Sequence, residues 1–160
     1  KITDMTDLII KPQADKQIYK YIELPNKMRC LLINDPEADK SAASIDVRVG
    51  CSLDPKPKFG TAHFLEHMLF QGTDKYPSEN EYSAFMKNNG GMNNAYTSLT
   101  NTNYHFDCSN DAFEEGLDRL SQFFICPTFS KASAEREVNA VNSEFNQSLQ
   151  SDGWHFFNLC

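Results

Sequence analysis

A chain of 160 residues can bury one sizeable core, whereas two independent domains would be a tight fit. Apolar residues at 40% and charged residues at 23% exclude simple disorder, and a net charge of −7 without a basic stripe excludes a nucleic-acid surface. No apolar run is long enough to span a bilayer, so no membrane partner is expected. Five scattered cysteines (Cys30, Cys51, Cys108, Cys126 and Cys160) form no CxxC pair, which argues against a disulfide framework or a cysteine metal site. Lying mostly in apolar runs such as Cys30-Leu31-Leu32-Ile33, they are expected to be buried free thiols in a reducing, cytoplasmic compartment. The chain begins at Lys1 rather than Met, so a processed or trimmed start is expected.

Without repeats or linkers, residues 1–160 are expected to form one unit. Residues 18–24 and 28–34 read as strands around the turn Pro25-Asn26. In a third strand Ile45, Val47 and Val49 alternate with Ser44, Asp46 and Arg48. Asp54-Pro55-Lys56-Pro57 then breaks the chain. From Thr61 to about Gln71 the residues are apolar on nearly every side, which predicts a helix buried in the core. Ser78 and Glu81 make a capping-box pattern for a second helix that should stop at Gly90-Gly91. Strands follow over 92–98 and 102–108, with Tyr104, Phe106 and Cys108 on one face. Phe113, Leu117, Leu120 and Phe124 mark a third helix ending before Pro127, and Ser130 caps a fourth from about Lys131 to Gln150. The expected class is α+β, with helices packed on a largely antiparallel β-sheet.

His63, Glu66 and His67 interrupt the apolar helix. Four helical residues separate side chains by only about 40°, so the two imidazoles point the same way and can share one cation. Glu66 falls about 60° to the other side of His63, close enough to act on a water beside that cation without being a ligand. Three polar groups on a buried helix would be costly without a partner, and a divalent cation supplies one. Catalytic zinc takes three protein ligands and keeps a fourth position open. The fourth helix, with an apolar stripe of Ala134, Val138, Val141, Phe145 and Leu149, offers the third. Glu137 and Glu144 lie on one flank of that stripe and Glu135 on the other; spacing alone does not say which of the first two is the ligand. A structural zinc would want four protein ligands, and only three are found. His105 and His155 read as packing residues.

HxxEH inverts the usual zincin order and marks the inverzincins. The chain resembles the insulin-degrading enzyme (insulysin) branch of that group, the pitrilysin-type metallopeptidases. Beyond the run His63–Phe70, the resemblance is carried by Cys51–Pro55, Gly72-Thr73 through Tyr76-Pro77, Glu79–Tyr82, Asn94–Ser98, Thr102–Tyr104, Leu117–Arg119 and Glu135–Val141. It extends from about Ile9 to Leu159. It implies a zinc metalloendopeptidase holding one Zn2+ per chain on His63, His67 and Glu144, with Glu66 as general base and Glu137 supporting a ligand. It further implies that Asn94 and Ala95 pair with the substrate backbone, and that Phe70, Tyr96 and Trp154 line the pocket for the residue before the scissile bond. Leu65 stands where some relatives have cysteine, so thiol sensitivity is not expected there. Family members are several times longer and close a chamber from two halves. The chain resembles the first repeat of the first half, which implies further domains and makes peptides and those domains its expected partners, with any oligomer contact in the missing part. As an isolated piece it is expected to bind zinc and peptide with little or no turnover.

Overall fold

The structure, a computed structural model, describes residues 1–148. Leu149, Trp154, His155 and Cys160 therefore lie outside the described residues, as does the expected end of the fourth helix. Two compact units are present, Lys1–Asp39 and the chain from Lys40 onward.

In the first unit β1 (Thr3–Asp4), β2 (Ile18–Glu23) and β3 (Arg29–Asn34) form an antiparallel sheet in the order β1-β2-β3. The turn between β2 and β3 is closed by the Leu24 N–H, which donates to the Met28 carbonyl at 2.8 Å. The apolar run of β3 is not buried here: Leu31, Leu32 and Ile33 are exposed and Cys30 is half-buried, because the unit has no α-helix to cover either face of its sheet. Of the thiols expected to be buried, only Cys108 is fully so among the described residues, and Cys126 is exposed.

The second unit contains β4 (Lys40–Val47), α1 (Thr61–Leu69), α2 (Glu81–Asn88), β5 (Met92–Thr97), β6 (Thr102–Ser109), α3 (Phe113–Ile125) and α4 (Lys131–Ser148). Its sheet runs β4-β6-β5, antiparallel throughout, with Ile45 and Ala95 flanking Tyr104. Strand periodicity sends Tyr104, Phe106 and Cys108 to one face, where they meet Leu69, Tyr82, Met86, Leu120 and Phe123 from three helices. The other face is polar: Asn103 Nδ2 donates to Ser44 Oγ at 2.9 Å, and His105 Nδ1 lies 3.0 Å from Asn103 Oδ1. The fold is thus α+β, with helices packed on antiparallel sheet. At Gly116 α3 comes so near β6 that a Cβ would stand 2.8 Å from the Phe106 ring. Val49, expected on the buried face of β4, lies past the strand's end and is 46% exposed.

The expected capping box at α2 does not form. Asn80 occupies the cap without a side-chain bond, and Glu81 Oε1 instead accepts from Arg119 Nε at 2.8 Å. The Arg119 guanidinium lies 3.8 Å from the Phe85 ring centroid and 4.3 Å from that of Tyr76. A charge-assisted bond supported by two rings outcompetes a neutral backbone N–H.

Lys75 Nζ and the Tyr76 hydroxyl each donate to Asp118 Oδ2 at 2.5 Å, holding its carboxyl down to about 2. A lowered folded-state pKa stabilises the fold above the ordinary carboxylate value, and that contribution is lost as pH falls from about 4 toward about 2. Asp118→Asn should therefore melt below wild type at neutral pH, and the gap should close across that acid window in thermal melts.

Candidate metal centre

Helix α1 starts on Gly60, whose φ of 85° is cheap only for glycine and which has no side chain to cap with. Asp54 provides the cap from outside the helix. Its Oδ2 accepts from the Gly60 N–H at 2.6 Å and its Oδ1 from the Ala62 N–H at 2.8 Å, which places a carboxylate at the positive end of the helix dipole. The segment expected merely to break the chain thus fixes where α1 begins. Asp54→Ala should cost about 1–2 kcal/mol in denaturant unfolding.

From this start α1 buries Ala62, Met68 and Leu69 and presents His63 and His67 to α4. Their Nε2 atoms are 3.2 Å apart. Glu144 Oε2 from α4 lies 3.4 Å from His67 Nε2 and 3.7 Å from His63 Nε2. Four ligands at about 2.0–2.1 Å around a tetrahedral zinc are separated by roughly 3.4 Å, so these three spacings suit one cation. The two flanking carboxylates of α4 differ in reach. Glu137 is the more buried, and its Oε2 accepts from His67 Nδ1 at 2.9 Å. That bond puts the His67 proton on Nδ1 and turns the Nε2 lone pair toward His63 and Glu144.

Helix α4 starts at Ser130, the cap expected from the sequence, and is held further by polar anchors that the pattern did not reveal. Ser130 Oγ accepts from the Ser133 N–H at 3.0 Å, and the buried Ser133 hydroxyl donates to Glu79 Oε1 at 2.9 Å. Arg136 donates to the same Glu79 oxygen. These bonds turn Ser133 and Glu137 inward. The expected apolar stripe is consequently not the packing face as a whole: Ala134 and Val141 are half-buried, but Val138 and Phe145 are exposed. Breaking the clamp with Arg136→Gln should weaken zinc retention several-fold in a chelator competition while α1 stays folded by circular dichroism.

Glu66 is buried, 8% exposed, with its Oε2 accepting from the Thr97 hydroxyl at 2.6 Å. Burial first and the Glu66 charge second push the Tyr104 phenol above its ordinary range, so it stays protonated. Burial, then Asp54, likewise raises the Cys51 thiol. Beside these groups lies an open groove of about 520 Å³, lined by His63, Glu66, Phe70, Asn94, Ala95 and Glu144 among others. Phe70 also packs edge-on against Phe123 at 5.0 Å, so it belongs partly to the core. Asn94 and Ala95 lie on β5, which pairs with β6 alone among the described strands. The Ala95 N–H donates to Asn94 Oδ1 at 3.0 Å. Tyr96 is exposed and does not line this groove.

Residues 29–159 match the family described as Insulinase (Peptidase family M16). The chain is 51% identical over 150 residues to the A-factor-processing enzyme of Saccharomyces cerevisiae, covering 94% of the chain and 15% of that protein. It is 49% identical over 151 residues to the insulin-degrading enzyme of Homo sapiens, again covering 94% and 15%. A crystal structure of pitrilysin superposes with a TM-score of 0.89 at 38% identity, over 95% of this chain and 16% of that one. The chain thus spans about 15% of the length of the curated relatives named here.

Proposed function

The chain belongs to the insulinase family of peptidases, family M16, and on that premise we propose that it carries the metal centre and general base of a zinc metalloendopeptidase. The observation that carries the reading is the convergence of His63 Nε2, His67 Nε2 and a Glu144 carboxylate oxygen within 4.8 Å of one another beside buried Glu66. His63, His67 and Glu144 would hold one zinc ion, with Glu137 fixing the His67 ring. A zinc ion bound there supplies a Lewis acid that makes water more acidic and polarises a peptide carbonyl. Glu66 takes the proton of the attacking water and returns it to the leaving amine, which requires the carboxylate to be ionised before attack and protonated after it.

Substrate binding is assigned to β5. Its outer edge can add an extended peptide as a further strand, which recognises backbone more than sequence. A peptide seated there takes over the Ala95 N–H from the Asn94 side chain. Phe70, Tyr96 and Trp154 are proposed to line the pocket for the residue before the scissile bond; Trp154 lies outside the described residues. One relative's name gives insulin as what it degrades, and peptides of that size are the proposed substrates of the complete protein. Given the 15% span, remaining domains of a longer protein are the proposed partners, and the 160 residues alone are proposed to bind zinc and peptide with little or no turnover.

The test is Glu66→Gln in the full-length protein. Peptide hydrolysis should fall by about three orders of magnitude or more with bound zinc unchanged; near-normal turnover would reject the base. Glu144→Ala should lose more zinc affinity than Glu137→Ala, by about tenfold or more. The reverse order would exchange their roles.

A further inference from the structure

A general base must be aimed as well as present, and glutamate has three torsions through which its carboxylate can swing out of line. The restraint on Glu66 comes from another element. It comes from β5: the Thr97 hydroxyl donates to Glu66 Oε2 at 2.6 Å. The direction of this bond is set one residue pair further along. Thr97 and Thr102 lie opposite each other in the β5–β6 register, with hydroxyl oxygens 3.4 Å apart. Thr102 is buried and donates its only hydroxyl proton to the Val49 carbonyl at 2.8 Å, so toward Thr97 it can only accept. The single Thr97 proton therefore has two candidate acceptors, and the much nearer, charged one is Glu66.

We propose that Thr97 is a positioning residue for Glu66, held in turn by Thr102 and the Val49 carbonyl; this rests on the reading of Glu66 as the base. The bond anchors Oε2 and leaves Oε1 as the oxygen that receives the water proton. It also ties two functions to one strand. Asn94 and Ala95, proposed to hold the substrate backbone, stand three and two residues before the group that aims the base. The extended backbone of β5 turns Ala95 and Thr97 to the same side, toward the helices, which is why the restraint can reach α1.

The experiment compares Thr97→Val, Thr97→Ala and Thr97→Ser in the full-length protein, with Glu66→Gln alone and combined with Thr97→Val. The readouts are kcat, KM, bound zinc and crystal structures of the single Thr97 variants. Thr97→Val, or Thr97→Ala if valine impairs folding, should lower kcat about tenfold or more, the size expected for a lost hydrogen bond to a charged group. KM and bound zinc should be unchanged. Thr97→Ser should keep kcat within about threefold of wild type, as the hydroxyl is retained. Adding Thr97→Val to Glu66→Gln should cost nothing further, because both changes remove one function. Crystals should show the Glu66 carboxylate displaced in the valine or alanine variant and in place in the serine variant. Normal kcat in the hydroxyl-free variants beside an inactive Glu66→Gln would overturn the role of Thr97 while leaving the base intact. So would serine failing as badly as valine, or zinc loss accompanying the loss of kcat. Full activity in Glu66→Gln would remove the base reading and this inference together.

Discussion

Two imidazole nitrogens and a carboxylate oxygen repel one another when gathered at 3.2 to 3.7 Å, here with both imidazoles half-buried and Glu144 exposed. Positive charge among them reverses the sign of every one of those interactions. Much of the second unit is organised around making this gathering possible. Asp54 fixes the first turn of α1, the Glu79–Ser133–Arg136 clamp fixes α4, and the Glu137 carboxylate fixes the His67 ring between them. The sheet supplies the rigid floor, since β6 is paired on both sides and its inward face is filled by three helices.

Strand β5 meets the Glu66 carboxylate and lines the groove. Its register on β6 places Thr97 against Glu66, while its other edge is unpaired among the described strands at Asn94 and Ala95. A strand locked on one side and open on the other can offer a template to an incoming peptide without loosening the groups behind it. The groove between this edge and the His63–Glu144 cluster is open.

The parts of the fold legible in the sequence were those where one period dominates. The Tyr104–Phe106–Cys108 alternation and the Phe113–Phe124 spacing gave their elements close to the observed bounds. The pairing of His63 with His67 was legible because four helical residues leave no geometric freedom. Long-range choices were not legible. Glu81 fits a capping box locally, but Arg119, distant in sequence, claims its carboxylate. The stripe of α4 reads as apolar, yet polar anchors from Ser133 and Arg136 decide which face turns inward, leaving Val138 and Phe145 exposed. Asp54 read as a breaker because its capping target lies six and eight residues ahead, beyond a two-proline turn. Thr97 carried no signal of its own, since nothing local distinguishes a threonine that meets the Glu66 carboxylate from one that fills a strand.

The central claim is that α1 and α4 together hold one zinc ion through two imidazoles and one carboxylate. X-ray absorption at the zinc edge of the zinc-loaded protein tests it most directly. The account predicts a shell of light atoms at about 2.0–2.2 Å, containing the outer-ring scattering of two imidazoles and no sulfur. A sulfur shell at about 2.3 Å, or imidazole scattering from fewer than two histidines, would contradict it.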